Sequence, residues 1–173
     1  MRQLFILFPC VLILFVAGCG GEQRPAGMPP LHPTTLTFTQ EGAPLADAAV
    51  TLFADDAANT QWSFGGTTDR SGVVRIQTQG FNGVPAGTFR IVVSKTETEG
   101  TAVVADESSD LGDLGGARPA AAASDGPRSF NLVDAKYRSA ATTDLELEVT
   151  PGRNAQTFDL GPAVREEIPI FRN

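Results

Sequence analysis

The spacing of apolar and polar residues changes twice along this chain. From Leu4 to Val16 nearly every position is apolar, with no period. From Gly20 to Pro33 the chain is polar and proline-rich, again without period. From Thr34 onward apolar residues recur at every second position, the spacing of a strand with one face buried. TTLTFTQ (34–40) puts Leu36 and Phe38 on one face. GAPLADAAVTLFA (42–54) supplies a turn and then a strand with Val50 and Leu52 inward. WSFGGTTD (62–69) ends in a turn, and RSG leads into VVRIQT (73–78), with Val74 and Ile76 inward. After the turn GVPAG comes TFRIVVSK (88–95), with Phe89, Ile91 and Val93 inward. The cleanest alternation is TDLELEVT (143–150), with Leu145, Leu147 and Val149 set against Asp144, Glu146 and Glu148. AQTFDLG (155–161) turns Phe158 and Leu160 inward. Short alternating runs separated by Gly/Pro turns predict an all-β fold, a single antiparallel β-sandwich over residues 34–161. Nothing beyond residue 33 carries a helical stripe.

The alternation fails between residues 96 and 128. That segment holds seven acidic and two basic residues and an alanine run. It reads as an exposed, mobile acidic insertion in which TAVVA (101–105) is a candidate edge strand. Residues 162–173 read as a C-terminal tail. The length of 173 residues suits one domain plus a leader and linker. With 42% hydrophobic and 19% charged residues, a packed core is available and wholesale disorder is excluded.

The leader has its own logic. Met1-Arg2-Gln3 is a short positive head, and the thirteen-residue apolar run behind it falls short of the about 20 residues a membrane span needs. It fits the core of a secretion signal, residues 1–18. Val16-Ala17-Gly18-Cys19 resembles the bacterial lipobox, in which small residues let a peptidase reach the bond before a cysteine that becomes acylated. The chain has two cysteines, Cys10 and Cys19. Cys10 departs with the leader, so Cys19 has no partner for an internal disulfide, and lipid would cap its thiol. More than one acyl chain gives a stable anchor. Residues 19–33 then form a flexible, lipid-anchored tether. The expected location is the bacterial cell envelope. Gly20, where aspartate marks inner-membrane retention in some bacteria, favours the outer membrane. Removal of the leader takes Arg2 alone among charged residues and leaves 12 basic against 20 acidic, net −8. Such a balance argues against nucleic-acid binding and against broad docking on anionic headgroups.

Three segments together resemble the carboxypeptidase regulatory-like domain, a transthyretin-like (prealbumin-like) sandwich that is also similar to Cna-B-type modules. They are GAPLADAAVTLF (42–53), GTTDRSGVVRI (66–76) and VPAGTFRIVVSK (84–95). LVDAKYRSAATTDLELEVTPG (132–152) is similar to small lipoproteins of planctomycete-type bacteria. The resemblance implies a structural or binding module without shared catalytic residues. The motifs also have a local reading: Pro44 fixes a turn beside Gly42, and Asp69 caps a turn in which Gly72 takes positive φ.

Candidate chemistry is sparse. The one histidine, His32, falls in the tether, so neither a metal centre nor a histidine-activated serine can be assembled in the domain. Hydroxyisourate hydrolase, an enzyme of the transthyretin fold, has several histidines and a C-terminal Tyr-Arg-Gly-Ser; here YRSA (137–140) is internal and lacks the glycine. The Lys–Asn crosslink of some Cna-B-like domains takes its lysine from an early strand, whereas the lysines here are Lys95 and Lys136. Asp106, Glu107, Asp110 and Asp113 lack calcium-loop spacing. No enzyme activity, cofactor or metal is expected. Trp62, with Phe64 two residues on, and Phe81 in the turn-rich QGFNGVP (79–85) are the candidate contacts for a glycan or peptide ligand.

Overall fold

Alternation becomes strand throughout the domain. The computed structural model describes residues 24–100 and 126–169. In chain order they form β1 (Thr34–Gln40), β2 (Ala43–Pro44), β3 (Ala49–Ala54), β4 (Phe64–Thr67), β5 (Val73–Arg75), β6 (Gln77–Thr78), β7 (Phe81–Asn82), β8 (Gly87–Ser94), β9 (Thr96–Glu99), β10 (Arg128–Asn131), a 3-10 turn (Ala135–Arg138), β11 (Glu146–Val149), β12 (Asn154–Asp159) and β13 (Glu166–Glu167). One sheet has the order β11-β8-β3-β4-β6-β7, antiparallel throughout. The second is built on β1, with β12 on one side and β2 and β5 on the other. A small third sheet, β13-β10-β9, stands beside them.

The architecture is a β-sandwich. Leu36 and Phe38 of β1 are fully buried and share one core with Val50 and Leu52 of β3, Phe89, Ile91 and Val93 of β8, and Leu147 and Val149 of β11. Phe158 of β12 is only partly buried but stacks on Phe38 at 5.5 Å. Phe64 meets Phe89 edge-on at 5.2 Å, a favoured aromatic geometry. The stretch 73–78 belongs to both main sheets: β5 pairs with β1, then buried Ile76 turns the corner and β6 pairs with β4.

Two turns behave as their residues dictate. Glu41 and Gly42, between β1 and β2, both take positive φ (50° and 77°), which suits a tight hairpin. The Asp69 carboxylate accepts from the Ser71 amide (2.8 Å), the Ser71 hydroxyl (2.6 Å) and the Val73 amide (3.1 Å). Gly72 sits at φ 75° with its carbonyl accepting from Phe38 N–H at 2.8 Å. A Cβ there would stand 2.4 Å from the Phe38 carbonyl oxygen, so the position admits only glycine without a backbone shift.

Four features depart from the sequence expectations. β12 runs parallel to β1, from Thr34↔Asn154 to Thr39↔Asp159, so the sandwich is not purely antiparallel. The turn 150–153 carries the chain from β11, in one main sheet, to β12 in the other, which fixes that direction. The flanks of the acidic insertion are ordered: β9 pairs with β10 from Thr96↔Asn131 to Glu99↔Arg128. The expected tail supplies β13, with Arg165 3.9 Å from Glu97 and 2.6 Å from Glu99. The last residues of the expected tether are pinned to the domain, because His32 and Val84 exchange backbone hydrogen bonds (2.8 and 3.0 Å) and His32 Nδ1 accepts from Gly152 N–H at 3.2 Å. The leader, the Val16-Ala17-Gly18-Cys19 motif, TAVVA and the acidic residues 106–113 lie outside the described residues.

Phe38→Ala should cost about 3–5 kcal/mol of stability in urea unfolding, because it empties the centre of the core and unstacks Phe158. Asp69 supplies a pH test. Its hydrogen bond from the Ser71 side chain, followed by those from the Val73 and Ser71 backbone, holds its carboxyl below the usual carboxylate value. A depressed folded-state pKa contributes stability above the unfolded pKa and loses it as pH falls through the folded one. Asp69→Asn should therefore flatten the fall in stability below about pH 4, measured as the unfolding midpoint against pH.

Candidate functional site

The outer face of the six-stranded sheet carries the one large exposed hydrophobic among the described residues. On β3 the pleat turns Val50 and Leu52 inward, which sends Thr51 and Phe53 to the outside. Phe53 is 47% exposed. Its cross-strand partner on β8 is Arg90, whose guanidinium reaches Asp55 at 3.3 Å. The loop that follows β3 is built from turns: Asp56 Oδ1 accepts from Ala58 N–H, Asp56 O from Asn59 N–H, and Asn59 O from Trp62 N–H. This winding returns the chain to β4 and brings Trp62 against the rim of the core.

A hollow of about 210 Å³ lies between Phe53 and Trp62, bordered by the hydroxyl-bearing Thr51, Thr60 and Ser63. A second hollow, of about 310 Å³, shares Thr51 and Ser63 and continues over Gly65 to Gln77 and Gln79. Gly65 lies flat against β3: a Cβ on it would meet the Val50 carbonyl oxygen at 2.7 Å. The result is a shallow trough, aromatic at one end and amide-lined at the other. The Trp62 indole nitrogen is buried and has no hydrogen-bond acceptor. An unpaired buried donor is costly to the fold, and what Trp62 offers the hollow is its ring. Aromatic rings flanked by hydroxyls and amides suit a ligand with one apolar and one polar face.

The expected contacts are therefore separated. Trp62 is half-buried and packs on the core while edging the hollow. Phe81 pairs with Thr78 and, through it, lies in register with buried Phe64, on the inner face of the sheet at its β7 edge. The structure does not bring Trp62 and Phe81 into one cluster. Phe53 is the residue that sequence reasoning passed over, although the phase that put Val50 and Leu52 inward already turned it outward.

The titratable groups offer little chemistry. Asp69 is displaced by its own turn. Lys136 is raised, first by a hydrogen bond with the neighbouring Tyr137 side chain and then by Asp144, 3.5 Å away. Tyr137 of the YRSA segment is buried in the 3-10 turn as part of the core. Among the described residues no group of three or more His, Cys, Asp or Glu side chains is placed to hold a metal ion, and no helix is long and apolar enough to cross a membrane.

No family model, curated protein or solved structure matches this chain. The likeness to carboxypeptidase regulatory-like domains rests on its three quoted segments alone.

Trp62 is the sole tryptophan of the chain, so indole fluorescence reports on this trough directly. A ligand seated there should shift or quench the emission. Phe53→Ser should weaken such binding about tenfold, the loss of one stacking contact, and leave the unfolding free energy from urea titration within about 0.5 kcal/mol of the parent because Phe53 is exposed. An unchanged titration with Phe53→Ser would remove Phe53 from the contact.

Proposed function

We propose that this protein is a bacterial lipoprotein of the cell envelope, held to the membrane by acylated Cys19, whose β-sandwich serves a non-enzymatic, structural or protein-interaction role. The apolar run Leu4–Val16 followed by Val16-Ala17-Gly18-Cys19 supports the anchor. Phe53, exposed beside a hollow edged by Trp62, is the observation that carries the interaction role. A single exposed ring is ordinary on a protein surface; its place beside a concave hollow edged by a second aromatic is what favours contact with a partner. No metal, cofactor or nucleic acid enters this reading. The acidic surplus favours solubility at the envelope, and the outer membrane is the preferred side because Gly20 follows the cysteine.

A second reading rests on the trough itself. The Trp62 ring and the run of Thr51, Ser63, Gln77 and Gln79 favour a ligand-binding accessory module for a glycan or extended peptide. Sugar rings present C–H faces to aromatics and hydroxyls to amides, which fits the two ends of the trough. Envelope glycan fragments titrated against Trp62 emission separate the readings: saturable change supports the ligand module, and none leaves the protein-interaction role.

The anchor has its own test. Cells fed labelled palmitate should incorporate label into the wild-type chain and not into Cys19→Ala, with the wild type partitioning into the membrane fraction. Release of an unlabelled wild-type domain into the medium would defeat the lipoprotein reading.

A further inference from the structure

A cleft opens at the end of the sandwich where the chain enters it. Its volume is about 460 Å³, and Pro33, the last residue of the expected tether, forms part of its wall. Arg75, at the end of β5, and Arg153, just before β12, both line it. The Asn154 amide donates to the Pro33 carbonyl at 2.9 Å, which fixes the Arg153 turn beside the tether. Thr35 and Asn82 add polar groups. Gln77 donates to Asn82 Oδ1 at 3.3 Å, an arrangement that leaves the Asn82 amide hydrogens available.

Five of the ten arginines and lysines among the described residues have a carboxylate partner, and the two that share this cleft are among the five that do not. Arg90 is matched by Asp55, Arg128 by Glu167, Lys136 by Asp144, Arg138 by Glu166 and Arg165 by Glu97 and Glu99. Arg75 and Arg153 have no salt-bridge partner among the described residues; Asp69 feels Arg75 only as the weakest of its influences. The chain carries 20 acidic against 13 basic residues, so unmatched acids are plentiful elsewhere. Two guanidinium groups left without carboxylates in one cleft, in so acidic a protein, form a local anion site inside a repelling field. The planar fork of arginine suits the oxygens of a phosphate.

We propose that the Arg75–Arg153 cleft binds a phosphate group, and that the phosphate is that of an anionic lipid headgroup in the membrane to which the chain is tethered. The assignment of source rests on the lipid anchor proposed above; the anion site does not. Pro33 lies only 14 positions beyond Cys19, a span of at most about 50 Å when fully extended. The tether holds the cleft near the bilayer at high effective concentration, so weak intrinsic affinity is enough. Overall acidity, which argues against broad adsorption, is answered by a contact confined to this one end.

The full chain in neutral detergent tests this through its thermal unfolding midpoint. Short-chain phosphatidylglycerol should raise the midpoint in a saturable, salt-sensitive way, and net-neutral phosphatidylcholine should not. Arg75→Gln with Arg153→Gln should weaken the response about tenfold or more, while Arg75→Lys with Arg153→Lys retains part of it. Both arginines are at the surface, so the variants should match the parent's midpoint without ligand. A response to inorganic phosphate without one to phosphatidylglycerol supports the site and assigns its source to soluble phosphate compounds, overturning the headgroup. No response to either anion, or an undiminished response in the double glutamine variant, overturns the site. Loss of palmitate labelling with an intact phosphate response would strike the anchor alone.

Discussion

Pairing of β1 with β12 is the constraint on which the sandwich depends. β1 is hydrogen-bonded along both edges, to β12 on one side and to β5 and β2 on the other. Its two inward apolar residues, Leu36 and Phe38, are completely buried at the centre of the core. The pairing joins residues near 34 to residues near 154, so its loop-closure entropy must be offset by packing formed elsewhere in the domain. Neither cysteine lies within the sandwich, so no disulfide between its strands shares the task. The stack of Phe158 on Phe38 ties the last long strand to the first through side chains as well as backbone.

The same closure places the functional features. It brings the turn that holds Arg153 against Pro33 and so builds the cleft at that end. It also commits the inner faces of both sheets to the core. What the chain has left to offer a partner is the outer face, where Phe53 and the trough lie. The matched ion pairs Arg128–Glu167 and Arg165–Glu99 belong to the small third sheet instead. Exposed pairs of this kind contribute at most about 1 kcal/mol each, and their larger effect is to neutralise the cations there.

Much of the fold was legible because the core residues announce themselves by phase. Leu36, Phe38, Val50, Leu52, Val74, Ile76, Phe89, Ile91, Val93, Leu147, Val149 and Leu160 all point inward as alternation predicts. The turn at Asp69 and Gly72 was equally readable, since only one side chain and one φ satisfy it. Three features were not legible, each for a physical reason. β9 is TETE, exposed at all four positions, so no hydrophobic phase separates it from a loop; pairing with β10 alone makes it a strand. Parallel direction leaves no mark on a period of two, because alternation is the same in both senses. The switch of residues 73–78 between sheets is a bend at Ile76, and the sequence shows only one continuous alternating run.

The candidate site follows the same division. Alternation predicts which way a residue faces but not what shares its surroundings. It turned Phe53 outward without showing that Trp62 would return beside it, because that meeting depends on the winding of the loop between β3 and β4. It could not separate Phe81 from Trp62, since both lie near glycines and turns; only the ladder β4-β6-β7 puts Phe81 on the inner face. Charge behaves likewise. A net count predicts repulsion of anions, but salt screens that repulsion beyond about 10 Å. Within a cleft the nearest charges decide, and there the pairing of each arginine matters more than the sum. Arg75 and Arg153 stand 78 residues apart in sequence, and they become one feature only because β1 accepts β5 on one edge and β12 on the other.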